Sequence, residues 1–385
     1  MELAELWSLA VILAAAFVIG WAAETAQTFI PQALALSILA WLQTLPEFAV
    51  EANIAWHGQR ELMIANLTGS LRLLVGLGWP MIFFTHFFFQ GVRKKKVINH
   101  IQLEDQDFLS VLFLFISVLY FIVILFKHSL SVIDSAVLFA IYIAYLRYVL
   151  KFPPGGEESI EDLPWIGRQI LRFRPGFRVA AVILLFAVGG WGLWVSVDPF
   201  VHTLQRWALK WGISSFVFIQ WVAPFLSEFP EKLTAFDWAR QPRKASMAVM
   251  NMVNSNINQW TMLAAMIPIV FSLSTGHWEI VTFTPLAWHE LALTIAQSFL
   301  GGLLLLDLQF SIWDAALLFV LWLTQFVWAS VREEILGVYL IWSAWELLII
   351  ARVLLSERRP PRALALSVRF LKGENVLGNG PKGLK

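Results

Sequence analysis

Long apolar runs, broken at intervals by short polar stretches, set the pattern of this chain. Runs long enough to cross about 30 Å of hydrocarbon occur near residues 3–26, 32–56, 61–89, 108–127, 130–150, 177–200, 213–238, 245–273, 287–306, 312–331 and 335–355. Eleven helices are therefore expected, and the fold class is an all-α polytopic membrane protein. The first run follows Glu2 and Glu5, without the basic start or small-residue cleavage site of a signal peptide, and is expected to span.

Three polar connections divide the pattern. They are the basic run Arg93-Lys94-Lys95-Lys96, the segment 151–176 containing Pro153-Pro154-Gly155-Gly156, and the stretch from Ser356 onward with Pro360-Pro361. The middle segment is acidic first (Glu157, Glu158, Glu161, Asp162) and basic later (Arg168, Arg172, Arg174), which reads as a solvated linker. The expected division is a first five-helix unit over 1–150, a cytoplasmic linker over 151–176, a second unit over 177–331, an extra helix over 332–355 and a cytoplasmic tail over 356–385 without fixed structure.

Several of these pieces repeat. Ser131-Val132-Ile133-Asp134-Ser135-Ala136-Val137-Leu138-Phe139 matches Ser311-Ile312-Trp313-Asp314-Ala315-Ala316-Leu317-Leu318-Phe319 at five of nine positions. An odd number of helices per copy makes the two copies enter the membrane from opposite sides. This is the inverted-repeat plan of many secondary transporters, with a site near the midplane between the copies. The eleventh helix has no counterpart in the first half.

Composition sharpens the class. The chain is 58% hydrophobic and 14% charged, with 20 Trp, 31 Phe and no Cys. Disulfides, thiolate metal sites and cysteine nucleophiles are excluded. Lys and Arg are biased 20 to 5 toward the connections after helices 3, 5 and 7 and the tail. The positive-inside tendency then puts the N-terminus outside and the C-terminus in the cytoplasm, in a plasma or inner membrane.

Polar residues inside the apolar runs carry the candidate chemistry. A carboxylate near the middle of a spanning helix costs about 2.5–3.5 kcal/mol on insertion scales, and a proline there removes a helical hydrogen bond. The chain bears both costs twice, at Leu45-Pro46-Glu47 and at Phe229-Pro230-Glu231. Gln43, Thr44 and Glu51 flank the first pair, and Ser227, Glu228 and Lys232 flank the second. The helix after each adds Asn66, Thr68, Ser70 and Arg72, or Asn251, Asn254, Ser255, Asn256, Asn258 and Gln259. Glu47 to Ser70 is 23 residues and Glu231 to Ser255 is 24. Carboxylate, amide and hydroxyl oxygens are the ligands that hard cations prefer.

Simpler roles compete at each position. The simpler, less favoured roles are kinks for the prolines, close packing for Gly69, Ser70 and Ser255, and satisfaction of a broken helix for the Asn251–Asn258 run. Glu51 and Lys232 also fit structural pairs. Asp134 and Asp314 begin their helices and suit N-terminal capping. His289-Glu290 lacks the second histidine of a zinc-protease helix and is assigned no chemistry.

These motifs resemble the cation/calcium antiporters that include sodium/calcium exchangers. Their two repeats each carry Gly-Thr-Ser-x-Pro-Glu on one helix and Gly-Asn-x-x-Gly-Ser-Asn on the next. The matching stretches here are Leu42-Gln43-Thr44-Leu45-Pro46-Glu47 with Ala65-Asn66-Leu67-Thr68-Gly69-Ser70-Leu71, and Leu226-Ser227-Glu228-Phe229-Pro230-Glu231 with Met250-Asn251-Met252-Val253-Asn254-Ser255-Asn256. The resemblance implies that Glu47 and Glu231 are the central cation ligands, that Ser70 and Ser255 are ligands, and that Asn66 and Asn251 are the motif asparagines. Thr44, Ser227, Glu228 and Gln259 complete the candidate set.

The chain also departs from that pattern. Where the family places an Asn or Asp ligand four residues after the motif serine, this chain has Leu74 and Gln259. Arg72, Glu51, Glu228 and Lys232 are extra charges that the pattern lacks; Arg72, Glu51 and Lys232 are candidate modulators, with Arg72 expected to share the space of the glutamates and stand in for a transported ion. The function implied is exchange of Ca²⁺ against Na⁺ or H⁺ by alternating access, with α-helices 1 and 6 sliding over the rest. No enzyme activity, cofactor or nucleic acid is expected, and the partners are the lipid bilayer and inorganic cations. Oligomeric state is open. The alternatives are a divergent transporter of another cation or an anion, and a membrane scaffold that does not transport.

Overall fold

The computed structural model describes residues 3–29, 39–95, 97–151, 163–356, 360–372 and 374. The start of the second apolar run, Lys96, the Pro153-to-Asp162 part of the linker and the stretch from Val376 onward lie outside the described residues. Nearly all the described residues are helical. Among the described residues, seven helices are long and apolar enough to cross a membrane: Leu6–Phe29, Arg60–Val92, Asp105–Lys127, Val132–Val149, Pro175–Lys210, Ala245–Thr275 and Ala329–Ser356. Ser215–Ser227 and Ile312–Val327 are shorter apolar helices.

Helix α1 covers Leu3–Ala26. A helical stretch over 39–43 then breaks at Thr44, and α2 restarts at Leu45–Trp56. Its break falls two residues before Pro46, which has no N–H to continue the ladder and fits the first turn of a new helix. Helix α3 (Arg60–Leu73) runs through a π turn at Leu74–Gly78 into α4 (Trp79–His86). Helices α5 (Phe108–Lys127) and α6 (Val132–Val149) follow, and α7 (Trp165–Ile170) is a short helix late in the linker.

The second half repeats this order. Helix α8 (Pro175–Lys210) has 36 residues and carries Pro199 without a break. Helix α9 (Ser215–Ser227) ends at Glu228, two residues before Pro230, and α10 resumes at Phe229–Ala239. Helix α11 (Ala245–Asn258) runs through a π turn at Gln259–Leu263 into α12 (Ala264–Thr275). Helices α13 (Pro285–Leu304), α14 (Ile312–Val327) and α15 (Arg332–Ser356) complete the bundle. Each π turn that follows the polar motif begins four residues after the motif serine, at Leu74 and at Gln259. Wide turns of this kind are concentrated at functional sites.

Local chemistry explains the matching starts of α6 and α14. Ser131 with Asp134, and Ser311 with Asp314, form reciprocal capping boxes that satisfy otherwise unpaired N–H groups. Asp134 also accepts from Tyr120 at 3.0 Å and pairs with Lys127.

Four short strands tie the loops together. Strand β1 (His100–Gln102) pairs antiparallel with β4 (Gln309–Ser311), in register His100 to Ser311, and β2 (Ser129–Leu130) pairs with β3 (Val281–Thr282). One pair joins the loop after α4 to the loop after α13. The other joins the loop after α5 to the loop after α12. Exchanging the two halves converts one pairing into the other, and loops join only where alternate crossings place them on one side.

The tail departs from expectation. Arg362–Leu371 form an amphipathic helix, α16, rather than an unstructured stretch. Ala363 and Leu366 are buried, the Ala363 N–H donates to the Leu306 carbonyl at 2.8 Å, Arg362 pairs with Asp105 at 2.6 Å, and the Phe370 ring meets Phe108 at 5.8 Å. The apolar face finds a partner surface on α5 that composition alone does not reveal.

A close helix crossing lies at Gly69 of α3. A Cβ there would sit 1.7 Å from the carbonyl oxygen of Gln220 on α9, so only glycine permits this crossing. A Cβ at Gly190 would meet no atom within 4 Å. Gly69→Ala is expected to lower stability by about 1–3 kcal/mol or more through overpacking, whereas Gly190→Ala is expected to be neutral or slightly stabilising. Thermal unfolding of the purified protein in detergent measures both.

Candidate functional site: a buried cluster of carboxylates and amides

The two proline-marked breaks bring Thr44, Glu47, Ser227, Glu228 and Glu231 into the interior, where each side chain is buried. The motif helices α3 and α11 add Asn66, Ser70, Asn251, Ser255 and, at the π turn, Gln259, all likewise buried. One amide links the halves. Gln259 Nε2 donates to Glu47 Oε2 at 2.7 Å and to Glu228 Oε1 at 2.9 Å. Glu228 also accepts from the Ser70 hydroxyl and pairs with the Lys232 ammonium one turn along. Glu47 of the first copy thus meets Glu228 of the second through a residue of the π turn.

Glu231 has its own set of partners. It accepts from the Ser255 hydroxyl, and Asn251 Nδ2 lies 3.5 Å from the same oxygen and 3.3 Å from Gln43 Oε1. Glu51 accepts from Asn66 Nδ2 at 2.6 Å, which pairs the motif asparagine of α3 with the second glutamate of α2. Thr44 accepts from Asn258 Nδ2 at 2.6 Å while donating to the Trp41 carbonyl at 2.9 Å. Ser227 donates to the Ala223 carbonyl at 3.0 Å, a bond within its own helix. Asn254 accepts from the Tyr145 hydroxyl at 2.8 Å, so that residue of the asparagine run secures packing against α6.

Acceptors outnumber donors here. Among the described residues, Glu47 Oε1, Glu51 Oε1, Glu231 Oε2 and the amide oxygens of Asn66, Asn251, Asn258 and Gln259 are buried without a hydrogen-bond partner. Buried oxygens without donors are costly, and they are the atoms a hard cation or a proton would satisfy. No group of three or more His, Asp or Glu side chains gathers tightly enough for a metal, among the described residues. The unpartnered oxygens mix carboxylate with amide.

Arg72 does not join this cluster. Its guanidinium turns to a second buried centre, where Nη2 pairs with Glu290 Oε2 at 2.5 Å and Nη1 donates to Gln325 Oε1 at 2.9 Å, with the Trp221 ring 4.8 Å away. Arg332, at the start of α15, pairs with the other oxygen of Glu290. Gln220 of α9 donates to Glu290 at 2.9 Å and to Thr68 at 3.1 Å. The expectation that Arg72 faces the four glutamates is therefore corrected, because Glu290 offers it a nearer carboxylate. Sequence reasoning missed Glu290, Gln220, Gln325 and Arg332. The signal that could have found them was the buried Arg72 itself, which had to have a carboxylate within reach.

Known proteins resemble this arrangement. Long apolar helices surround a buried oxygen cluster that is poor in donors. The model of the Sodium/calcium exchanger protein family matches residues 4–151 and 181–331, and the chain belongs to that family. Among solved structures, the H⁺/Ca²⁺ exchanger CAX is 30% identical with a TM-score of 0.84, over 96% of this chain and 91% of that one. Native YfkE is 16% identical with a TM-score of 0.62, over 83% and 89%. The sodium-calcium exchanger NCX_Mj is 20% identical with a TM-score of 0.53, over 84% and 96%. The last two show likeness of fold alone. No curated protein matches the chain.

The second centre makes a stability prediction. Glu290→Gln leaves Arg72 and Arg332 buried without their shared carboxylate, and loss of one partner from a buried pair costs about 3–5 kcal/mol. A large drop in unfolding temperature is expected, measured in detergent beside Glu333→Gln, whose side chain is 80% exposed.

Proposed function

We propose that this protein is a secondary active transporter that exchanges Ca²⁺ for protons by alternating access, with Glu47 and Glu231 as the central ligands. The observation that carries this reading is the surplus of buried, unpartnered carboxylate and amide oxygens at the junction of the two halves. Two kinds of cation competing for one set of oxygens suffice for exchange, and no covalent step is needed. The similarity to an H⁺/Ca²⁺ exchanger over nearly the whole chain supports protons as the coupling ion. So does the chemistry of the surroundings. Leu74 offers no oxygen, the Gln259 amide group donates into the carboxylates, and the Lys232 ammonium already pairs with Glu228. Each takes away room that an additional Na⁺ would need.

In this reading the layout is two inverted five-helix units plus an eleventh helix. The reciprocal strand pairings support it, since a two-fold exchange of halves relates them. The motif breaks at Thr44 and Glu228 would then meet near the midplane from opposite sides. The charge bias supports a cytoplasmic C-terminus, in a plasma or inner membrane. Helices α1 and α8 pack along a seam where Gly189 and Gly192 face Ile19 and Ala15. Small residues leave few ridges to interlock, which suits a pair that slides as one body to switch access.

Proteoliposomes loaded at one pH and diluted into another, with ⁴⁵Ca²⁺ outside, test the proposal. A proton gradient is expected to drive uptake, and Glu47→Gln or Glu231→Gln is expected to reduce it to background. Uptake that survives in the double substitution, or that follows no imposed cation gradient in folded protein, would sink the reading. Uptake driven by Na⁺ alone would overturn the choice of coupling ion.

A further inference from the structure

Glu228 differs from the other glutamates of the cluster in having its oxygens filled. Oε1 accepts from Ser70 and from Gln259 at 2.9 Å, and Oε2 holds the Lys232 ammonium. Glu47 Oε1 and Glu231 Oε2, by contrast, have no partner among the described residues. Lys232 is buried beside Glu231 in the chain, and its carboxylate partner is one amide away from Glu47. A positive charge is therefore built into the carboxylate cluster by covalent attachment to α10. Its i, i+4 spacing from Glu228 straddles the helix break, so the charge is held by the same turn that presents Glu231.

We propose that Lys232 is a tethered cation of the transport site, occupying through Glu228 the place of a monovalent ion and so limiting how many ions are exchanged for each Ca²⁺. The inference rests on the transport reading above. Without the ammonium, Glu228 would be a buried carboxylate whose Oε1 accepts from the Ser70 hydroxyl and the Gln259 amide and whose Oε2 has lost its partner. An uncompensated buried charge is strongly unfavourable. The freed Glu228 Oε2 and the hard carboxylate oxygen of Glu231, which has no partner among the described residues, are ligands that suit a hard cation such as Na⁺. Removing the tethered charge thus creates a place for a mobile one. A pair that merely braced the break between α9 and α10 would predict no such gain, since an apolar replacement would lower stability without changing ion dependence.

The test is Lys232→Met in proteoliposomes at fixed pH gradient, with Na⁺ or choline as the bulk cation at equal ionic strength. Wild-type uptake is expected to be equal in the two salts. Uptake by the variant is expected to depend on Na⁺ by roughly tenfold or more, as befits a charge buried without a partner. Lys232→Arg, which keeps the charge, is expected to stay indifferent to Na⁺. Equal transport by Lys232→Met in both salts overturns the proposal. Should that variant not transport, equilibrium ⁴⁵Ca²⁺ binding to the purified protein decides. Binding that responds to Na⁺ in the variant and not in wild type supports the tethered cation, and binding that is absent or equal in both salts overturns it. Wild-type protein that moves no Ca²⁺ under any gradient refutes the underlying transport reading instead.

Discussion

A carboxylate buried among membrane helices must be neutralised, and most of this structure follows from how each one is. Glu290 is held by two arginines, Glu228 by a lysine with a serine and a glutamine, and Asp134 by a lysine and its capping serine. Glu47, Glu51 and Glu231 each keep one oxygen without a donor. The first group is satisfied by the chain alone. The second has no donor for those oxygens among the described residues, and in the proposed function a transported cation or proton fills them. Carboxylates of the same type are thus divided by the number of donors around them.

The backbone makes that division possible. Proline restarts the helix at Leu45 and at Phe229, so the glutamates sit in first turns and not within an unbroken ladder. Carboxylates near the N-terminus of a helix also gain from its dipole. The π turns at Leu74–Gly78 and Gln259–Leu263 advance the following residue around the helix axis. In α11 this presents Gln259 to glutamates from both halves. In α3 the equivalent position is Leu74, which packs in the apolar core. The two halves of the site are therefore alike in backbone and unlike in chemistry.

The second centre clarifies what the appended helix contributes. Arg332 begins α15 and reaches Glu290 on α13, which in turn holds Arg72 two residues beyond Ser70 on α3. Gln325 joins the same centre from α14, with Tyr339 of α15 at 3.4 Å. Helix α15 is accordingly fastened by buried polar contacts, through Glu290, to the helix that donates to Glu228. Lipid-facing apolar surface offers little preference between partners, so a helix added to a bundle needs contacts of this kind to be held in one place.

Much of this was legible in one dimension. Apolar run length fixes which segments suit the membrane, since the hydrocarbon thickness sets the length required. Pro46-Glu47 and Pro230-Glu231 stand out because both residue types are costly there, and doubling at matched spacing marks them as one site. The caps of α6 and α14 are local, formed within four residues, and so could be read directly. What tertiary structure alone decided is which charge answers which. Arg72 and Glu290 are 218 positions apart, and no periodicity connects them. Lys232 could have been paired with Glu228 from spacing, yet Glu231 was as near in the chain, and only the break between α9 and α10 turns the ammonium to one and leaves the other open. The tail helix is amphipathic in sequence, but the surface that buries it is assembled from α5 and the end of α13. Local rules settle what each segment can be, whereas neutralisation inside a membrane depends on the nearest donor in space, and only the folded bundle supplies it.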